Sequence, residues 1–397
     1  MSGRGGMLSL VFTGDIGFDK YMDGRWNDPD LIAPEILSYL HDADHVIANV
    51  EGAISGAGAD PAMGTTGAAA QLMHTMNPAA VRVLSRMHAD IWNLCNNHIM
   101  DAGETGVRDT LAAAEKCGVR TVGAGRNIEE AARPVFLPEA GGVGMFSVGY
   151  RRGCKPAGED HAGCLLWNDM ERIQRTIDEI HRTCRWCILI SHGGEEFTSL
   201  PSPYTRDRYL RFLSMGADLI VAHHPHVPMN YERVGDKAIF YSLGNFIFDT
   251  DYQRSQFNTE KGILLRLDLT EKGWSFDARG IQILRGPEHI VPAPLPDIFE
   301  NVGEKDYALL APLAARMFIA ATKRQQIYLN PAKFAHATEE EWRAHFADPK
   351  RSGRVPGEAL DFQIICPLAE QEREKAWQRS SQKKVISYIL KQMGRTD

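Results

Sequence analysis

Short apolar runs alternate with amphipathic segments over the first 250 residues. LSLVF (8–12), HVIANV (45–50), DIWNLC (90–95), VGMFSVG (143–149), CILIS (187–191), LIVA (219–222) and AIFYSL (238–243) have the length and texture of buried strands. Helical patterning covers 31–40, 78–88, 104–117, 169–183 and 203–215. Pro78, one residue after Asn77, suits a capped helix start. This alternation predicts an α/β fold with helices covering the sheet faces. Residues 53–70, rich in Gly and Ala, and residues 151–164 are expected as loops, and loops at strand ends are where sites usually sit. ILLRLDL (263–269) and WSFDARGIQIL (274–284) alternate with the two-residue period of a hairpin. After Pro296 the texture changes, and 305–322 and 368–393 are charged and helical. The chain is therefore divided into an α/β domain over 1–290 and a helical extension over 291–397, packed on the core.

Composition narrows the class. The chain has 397 residues, 44% hydrophobic and 24% charged, as an ordinary globular protein does. A net charge of −7 argues against a nucleic-acid partner, which wants a basic face. The N-terminal apolar run, before Gly14 and Asp15, is too short for a signal-peptide core, and nothing approaches 18 apolar residues. A cytoplasmic protein without a membrane span is expected. The seven cysteines are an odd, scattered set, which fits reduced thiols. Cys184 and Cys187 form C-x-x-C but have no second pair at zinc-site spacing, so ordinary buried thiols are expected there.

The chemistry collects where strands end. Asp15 ends the first strand; Asn49 and Glu51 end the second; Asn96, Asn97 and His98 another; His192, Glu195 and Glu196 a fourth; and His223, His224 and His226 a fifth. Ligands of α/β sheets bind at the carboxyl ends of strands. Carboxylates, amides and imidazoles together suit Zn, Mn or Fe better than Ca or Mg. Pro225 is expected to hold HHPH extended, so that His224 and His226 project on one side by strand alternation.

LVFTGDIG, VIANVEGAIS, WNLCNNHIMDAGETGVRDTL, ILISHGGEEF and GADLIVAHHPHV…AIFYSLGNFIFD resemble the CapA/PgsA family of capsule and poly-γ-glutamate synthesis proteins, in order, over roughly residues 8–250. That family has the calcineurin-like metallophosphoesterase fold. The resemblance implies a four-layer α-β-β-α sandwich, followed here by a mainly helical C-terminal extension. It also implies roles: Asp15, Glu51 (bridging), Asn97, His192, His224 and His226 as metal ligands, and His98 as the catalytic histidine. His223 is expected to position substrate or buttress the cage. Asn96, Glu196, Arg151 and Arg152 are further candidates for substrate contact. The sequence departs from the metallophosphoesterase pattern in three places. Gly17 stands where Asp-x-His would have its histidine, leaving one metal a protein ligand short. Ala222 replaces the glycine before the double histidine, and Gly193 replaces a tryptophan, opening the pocket.

The implied activity is that of a metal-dependent hydrolase or transferase. One or two divalent ions (Mn, Zn or Fe) would activate a hydroxide against a phosphoester or a γ-glutamyl or other amide bond of a small-molecule, γ-glutamyl or phosphorylated substrate. Two alternatives stand beside it: a non-catalytic component of a poly-γ-glutamate or capsule synthesis complex, and a cytosolic amide-forming biosynthetic enzyme.

Overall fold

The computed structural model describes residues 6–58, 60, 72–151, 153–347, 384 and 387–389. Two large sheets are stacked face to face. The first runs, in spatial order, His289–Ala293, Trp274–Leu284, Lys261–Leu269, Leu8–Ile16, His45–Val50, Ala89–Asn93 and Arg120–Val122. Its last four strands are parallel, and the first three form an antiparallel meander on the other flank. Asn245–Ile247 adds a short parallel strand beside the end of Leu8–Ile16. The second sheet runs Tyr231–Val234, Lys237–Phe240, Leu219–His223, Trp186–His192, Val143–Gly149 and Val135–Leu137. Its four central strands are parallel.

Strand alternation builds the layers. Leu8, Leu10 and Phe12 point between the sheets, where they meet Met145, Ile188, Ile190, Leu219 and Val221. Their alternates face outward. Val11, and past the register shift after Phe12 also Ile16, lie in a cluster under the helices Pro34–His41, Val81–Arg86 and Gly103–Cys117. Phe146, Leu189 and Ile220 pack under Met170–His181 and Pro203–Met215, through Ile173, Ile177, Tyr209 and Phe212. The result is the expected α-β-β-α sandwich. Because both faces of each central strand are covered, the strands read as almost unbroken apolar runs.

Helix starts follow their caps. Asp169 accepts from Arg172 N, and Ser202 accepts from Thr205 N with Pro203 in the first turn. Asn77 accepts from Ala79 N, but opens a 3₁₀ turn, Pro78–Ala80, before the short helix Val81–Arg86, so the expected single helix over 78–88 is two pieces. The expected loop at 53–70 starts with a two-residue strand, Ala53–Ile54, paired to Thr75–Met76; residues 59 and 61–70 lie outside the described residues.

The first sheet extends to Ala293, three residues beyond the expected domain limit at 290. Beyond it, one helix, Glu304–Leu329, replaces the shorter expected 305–322, followed by Pro331–Phe334 and Glu339–Ala347. Leu310, Leu313 and Met317 of the long helix pack with Leu200, Ile298 and Val302, and the Tyr307 hydroxyl donates to Pro201 O at 2.7 Å. Of the expected helix over 368–393, only 384 and 387–389 are described, and they are helical. Among the described residues no helix is long and apolar enough to cross a membrane.

Candidate metal centre

Register brings the strand-end residues together. Asp15 pairs across with Asn49 on one side and Asn245 on the other, and Asn49 pairs with Asn93. A polar row thus crosses four parallel strands, at the carboxyl ends of three and at the first residue of Asn245–Ile247. Asn93 Nδ2 donates to Asn49 Oδ1 at 2.6 Å, and Asn49 Nδ2 donates to Asp15 Oδ1 at 2.8 Å. The Asn245 strand can lie this close because residue 14 is glycine: a Cβ there would stand 2.3 Å from Gly244 O. Asp15 N takes that carbonyl as its partner at 2.9 Å.

Around Asp15 the acidic and imidazole groups close into one buried cluster. Asp15 Oδ2 lies 3.2 Å from His226 Nδ1, and Asp15 Oδ1 lies 3.3 Å from His223 Nδ1. Glu51 Oε1 is 3.6 Å from His192 Nε2, 3.5 Å from His226 Nε2 and 4.0 Å from His98 Nε2. Asn97 Oδ1 is 2.8 Å from His192 Nε2. Ligand atoms of Asp15, Glu51 and His192 lie within 4.8 Å of one another, as do those of Glu51, His224 and His226, and Glu51 is common to both groups. Asp15, Glu51 and His192 are fully buried, yet Asp15 Oδ2, both Glu51 oxygens, His192 Nδ1 and His223 Nδ1 have no hydrogen-bond partner.

The electrostatics follow from burial and crowding. Burial alone would raise Asp15, but the imidazoles of His223 and His226 beside it hold its carboxyl far below the usual range. Burial pushes Glu51 up to about 8 against the pull of His226. Burial would depress His226, but the charge of Glu51 and the contact with Asp15 hold it up at about 10. His192 is driven well below its ordinary value by burial and then by His224, so it is a neutral imidazole, the form a metal takes.

The double histidine reaches the cluster differently from expectation. The strand ends at His223, and His224 and His226 both have positive φ, 99° and 58°. A tight left-handed turn about Pro225, and not extended alternation, swings both imidazoles inward, with ring centroids 6.0 Å apart. His98 is held by Asp101: Nδ1 donates to Asp101 Oδ2 at 2.7 Å, which leaves Nε2 toward Asn97 Nδ2 at 2.8 Å. Burial would lower His98, but Asp101 outweighs it and raises the imidazole above its ordinary value.

Eight of the expected site residues therefore meet: Asp15, Glu51, Asn97, His98, His192, His223, His224 and His226. Asn96 does not join them as a substrate contact. Its Nδ2 donates to Val50 O and Leu94 O, and its Oδ1 accepts from His98 N, so the side chain holds the turn that presents its neighbours. Glu196 and Arg151 line a pocket beside His224. Arg152 lies outside the described residues.

Several site residues escaped the sequence reading. Asn245, the first residue of the strand Asn245–Ile247, sits 3.0 Å from His226 Nδ1. Asp101 stands three residues after His98. His74, buried and held by Asp19 at 2.8 Å, lies edge-on to His98 with centroids 4.4 Å apart. Phe248 explains Gly17. A Cβ on residue 17 would stand 2.8 Å from Phe248 Cδ2, and the same ring lies over His226 at 4.7 Å. An aromatic ring fills the space that a side chain at position 17 would need.

The profile of a family described as bacterial capsule synthesis protein PGA_cap matches residues 9–250. The PGA biosynthesis protein CapA of Bacillus subtilis (strain 168) is 29% identical over 294 residues, covering 73% of this chain and 74% of that protein. The capsule biosynthesis protein CapA of Bacillus anthracis is 26% identical over 274 residues, covering 67% and 65%. A probable polyglutamine synthesis accessory protein of Mycobacterium tuberculosis is 27% identical over 191 residues, covering 44% and 50%. Among solved structures, a hypothetical protein from Thermus thermophilus aligns at 14% identity with a TM-score of 0.42, over 72% of this chain and 100% of that one.

Proposed function

This chain belongs to the bacterial capsule synthesis protein family PGA_cap, and from that premise we propose that it is a metal-dependent hydrolase or transferase acting on a phosphoester or on a γ-glutamyl or other amide bond. One observation carries the reading: two groups of buried ligand atoms share Glu51, whose oxygens have no hydrogen-bond partner. Left without a metal ion, such a carboxylate has a desolvation penalty that no hydrogen bond offsets and that the neighbouring imidazoles offset only in part. The spacing supports the same reading. Ligand atoms bonded at about 2.0–2.2 Å to one ion stand about 3–3.5 Å from one another, and the separations around Asp15, Glu51, His192 and His226 run from 3.2 to 3.6 Å. Asp15, Glu51, Asn97, His192, His224 and His226 would hold the ions. The mixed oxygen and nitrogen donors favour Zn, Mn or Fe. Bound there, divalent cations supply Lewis-acid polarisation of the scissile group and a clamp for developing negative charge.

The chain's own groups do the rest. Asp101 holds His98 through Nδ1 and raises its imidazole above the ordinary value, so the protonated ring, with a proton on the Nε2 that faces the cluster, can hand that proton to a leaving oxygen or nitrogen and return to the Nδ1–H form. The row Asn93–Asn49–Asp15 orients the Asp15 carboxylate, and Asn245 orients His226. The names of the relatives, PGA biosynthesis and polyglutamine synthesis, favour the amide side of the substrate pair. A second reading, a non-catalytic component of a synthesis complex, is favoured by Phe248 standing where a further ligand at position 17 would sit.

Elemental analysis of protein purified without chelator tests the proposal. We expect one to two ions of Zn, Mn or Fe per chain. We also expect chelator-sensitive turnover of bis(p-nitrophenyl) phosphate or γ-glutamyl-p-nitroanilide. Bound metal with no turnover of either probe supports the second reading. Protein that is metal-free and shows no thermal shift with any of the three ions refutes the metal-dependent reading and leaves the non-catalytic one.

A further inference from the structure

The family match ends at residue 250, and residues 251–260, just past it, reach back to a candidate metal ligand. They begin with the one-turn helix Asp251–Arg254, capped by Thr250, whose side chain accepts from Gln253 N at 3.0 Å. They end at Thr259 and Glu260, before the strand Lys261–Leu269. Between them Asn258 turns the chain with a φ of 63°. The turn brings Gln253 and Thr259 side by side, both buried. Thr259 Oγ1 donates to Gln253 O at 2.6 Å and accepts from Arg285 Nη2 at 2.8 Å.

Both residues face the amide of Asn245, the fully buried partner of His226. Asn245 Nδ2 donates to Thr259 O at 2.8 Å and to Gln253 Oε1 at 3.1 Å. Thr259 O is a backbone carbonyl and can only accept, so the Asn245 amide has one orientation. Flipped, it would set oxygen against oxygen. Asn245 Oδ1 therefore faces His226 Nδ1, 3.0 Å away, and that nitrogen carries a hydrogen. Asp15 Oδ2 lies 3.2 Å from the same nitrogen but makes no hydrogen bond. With Nδ1 committed to Asn245, Nε2 is the nitrogen left for an ion, and it stands 3.5 Å from Glu51 Oε1. A histidine ligand is held in this way, with one nitrogen donating to an acceptor behind it and the other free for the metal.

We infer that Gln253 is a positioning residue for the metal centre: with the Thr259 carbonyl it fixes the Asn245 amide, and through it the Nδ1–H form of His226 that presents Nε2 to an ion. This rests on the proposed reading of His226 as a ligand and deepens it, because it places part of the site outside the family-matched region. The same segment is braced by the long helix. Tyr252 lies on Tyr328 with ring centroids 4.5 Å apart, and Arg324 Nε donates to Gln256 Oε1 at 3.3 Å. The helix Glu304–Leu329 thereby supports the residues that orient His226.

Calorimetric titration of Zn and Mn into the chelator-treated full chain tests this and needs no turnover. Gln253→Leu removes the acceptor at similar volume. It should weaken metal binding about 10–100-fold, the range for losing a group that orients a ligand from behind. Gln253→Glu keeps an acceptor toward Asn245 and should restore binding to near the wild-type affinity. Gln256→Ala lies on the same segment outside the relay and should leave the affinity unchanged. Wild-type affinity in Gln253→Leu overturns the inference. Equal weakening in Gln253→Leu and Gln256→Ala does so too, since it marks a merely structural loop. Should Gln253→Leu fail to fold, the ring-nitrogen NMR spectrum of histidine-labelled, Zn-loaded wild type decides. His226 should show a protonated Nδ1 and a metal-bound Nε2, and a metal-bound Nδ1 overturns the inference. Wild-type protein that takes up no metal removes the proposed function and this inference together, whereas metal bound equally by wild type and Gln253→Leu removes only this inference.

Discussion

Replacing Glu51 by Gln separates the proposed role of this residue in holding metal from its effect on stability, and the two should move in opposite directions. Burial raises the Glu51 carboxyl from 4.5 to about 8, so at pH 7 the metal-free native protein already carries it mostly protonated. An amide of the same shape imitates that form. What the substitution removes is ionisation of Glu51 in the unfolded chain. The native pKa is the higher one, so the native state retains a proton that the unfolded chain has released between pH 4.5 and 8, and stability falls as pH rises through that window. At 1.36 kcal/mol per unit, the metal-stripped Glu51→Gln protein should exceed metal-stripped wild type by about 3 kcal/mol at pH 7, narrowing to about 1 kcal/mol at pH 5. Metal reverses the advantage. The amide nitrogen carries hydrogens and cannot bridge two ions, so at 100-fold excess over Kd each site adds about 2.7 kcal/mol to wild type and little to the variant. Denaturant titrations of chelator-treated protein at pH 5 and 7, with calorimetric titration of Zn and Mn, read both effects. A metal-stripped variant less stable than wild type at pH 7, or a gap that does not shrink toward pH 5, refutes the burial argument. Wild-type metal stoichiometry and affinity in the variant refute the bridge.

Two further perturbations test the neighbours of Glu51. His98→Gln should reduce turnover by roughly 10²–10⁴-fold, the range for a general acid–base group, with metal content unchanged by elemental analysis; loss of metal would move His98 into the ligand set. Gly17→Ala should destabilise the protein by about 1–3 kcal/mol through overpacking, because the new methyl meets Phe248 at 2.8 Å; an unchanged denaturation midpoint would show that the ring yields freely.

Much of this molecule can be read along the chain because its main signals are local. HVIANV and VGMFSVG form strands over His45–Val50 and Val143–Gly149, the same residues the apolar runs mark, since a strand buried on both faces has to be an apolar run bounded by polar residues. Asp15, Glu51, Asn97, His98, His192, His224 and His226 were legible for a related reason. Parallel strands put their carboxyl ends at one edge of a sheet, so polar residues just after each run line up along the edges of the two stacked sheets.

The rest depended on distance and direction in space. Asn245 joins the site through a register with Asp15 that spans 230 residues of chain, and nothing in SLGN announces it. The inward turn of His224 and His226 is set by positive φ at both, where a Pro between two histidines suggests an extended chain. Gly17 reads along the chain as a missing ligand, and only packing shows the Phe248 ring in its space. Gln253 and Thr259 carry no motif, because their part is set by the way one turn lays their oxygens against the Asn245 amide. The sequence alone determined which side chains stand at the strand ends and what chemistry they can offer. The tertiary structure decided which of them share a cluster, which are already satisfied by backbone, and which later segment braces them, because those outcomes depend on register, turn handedness and steric exclusion between segments far apart in the chain.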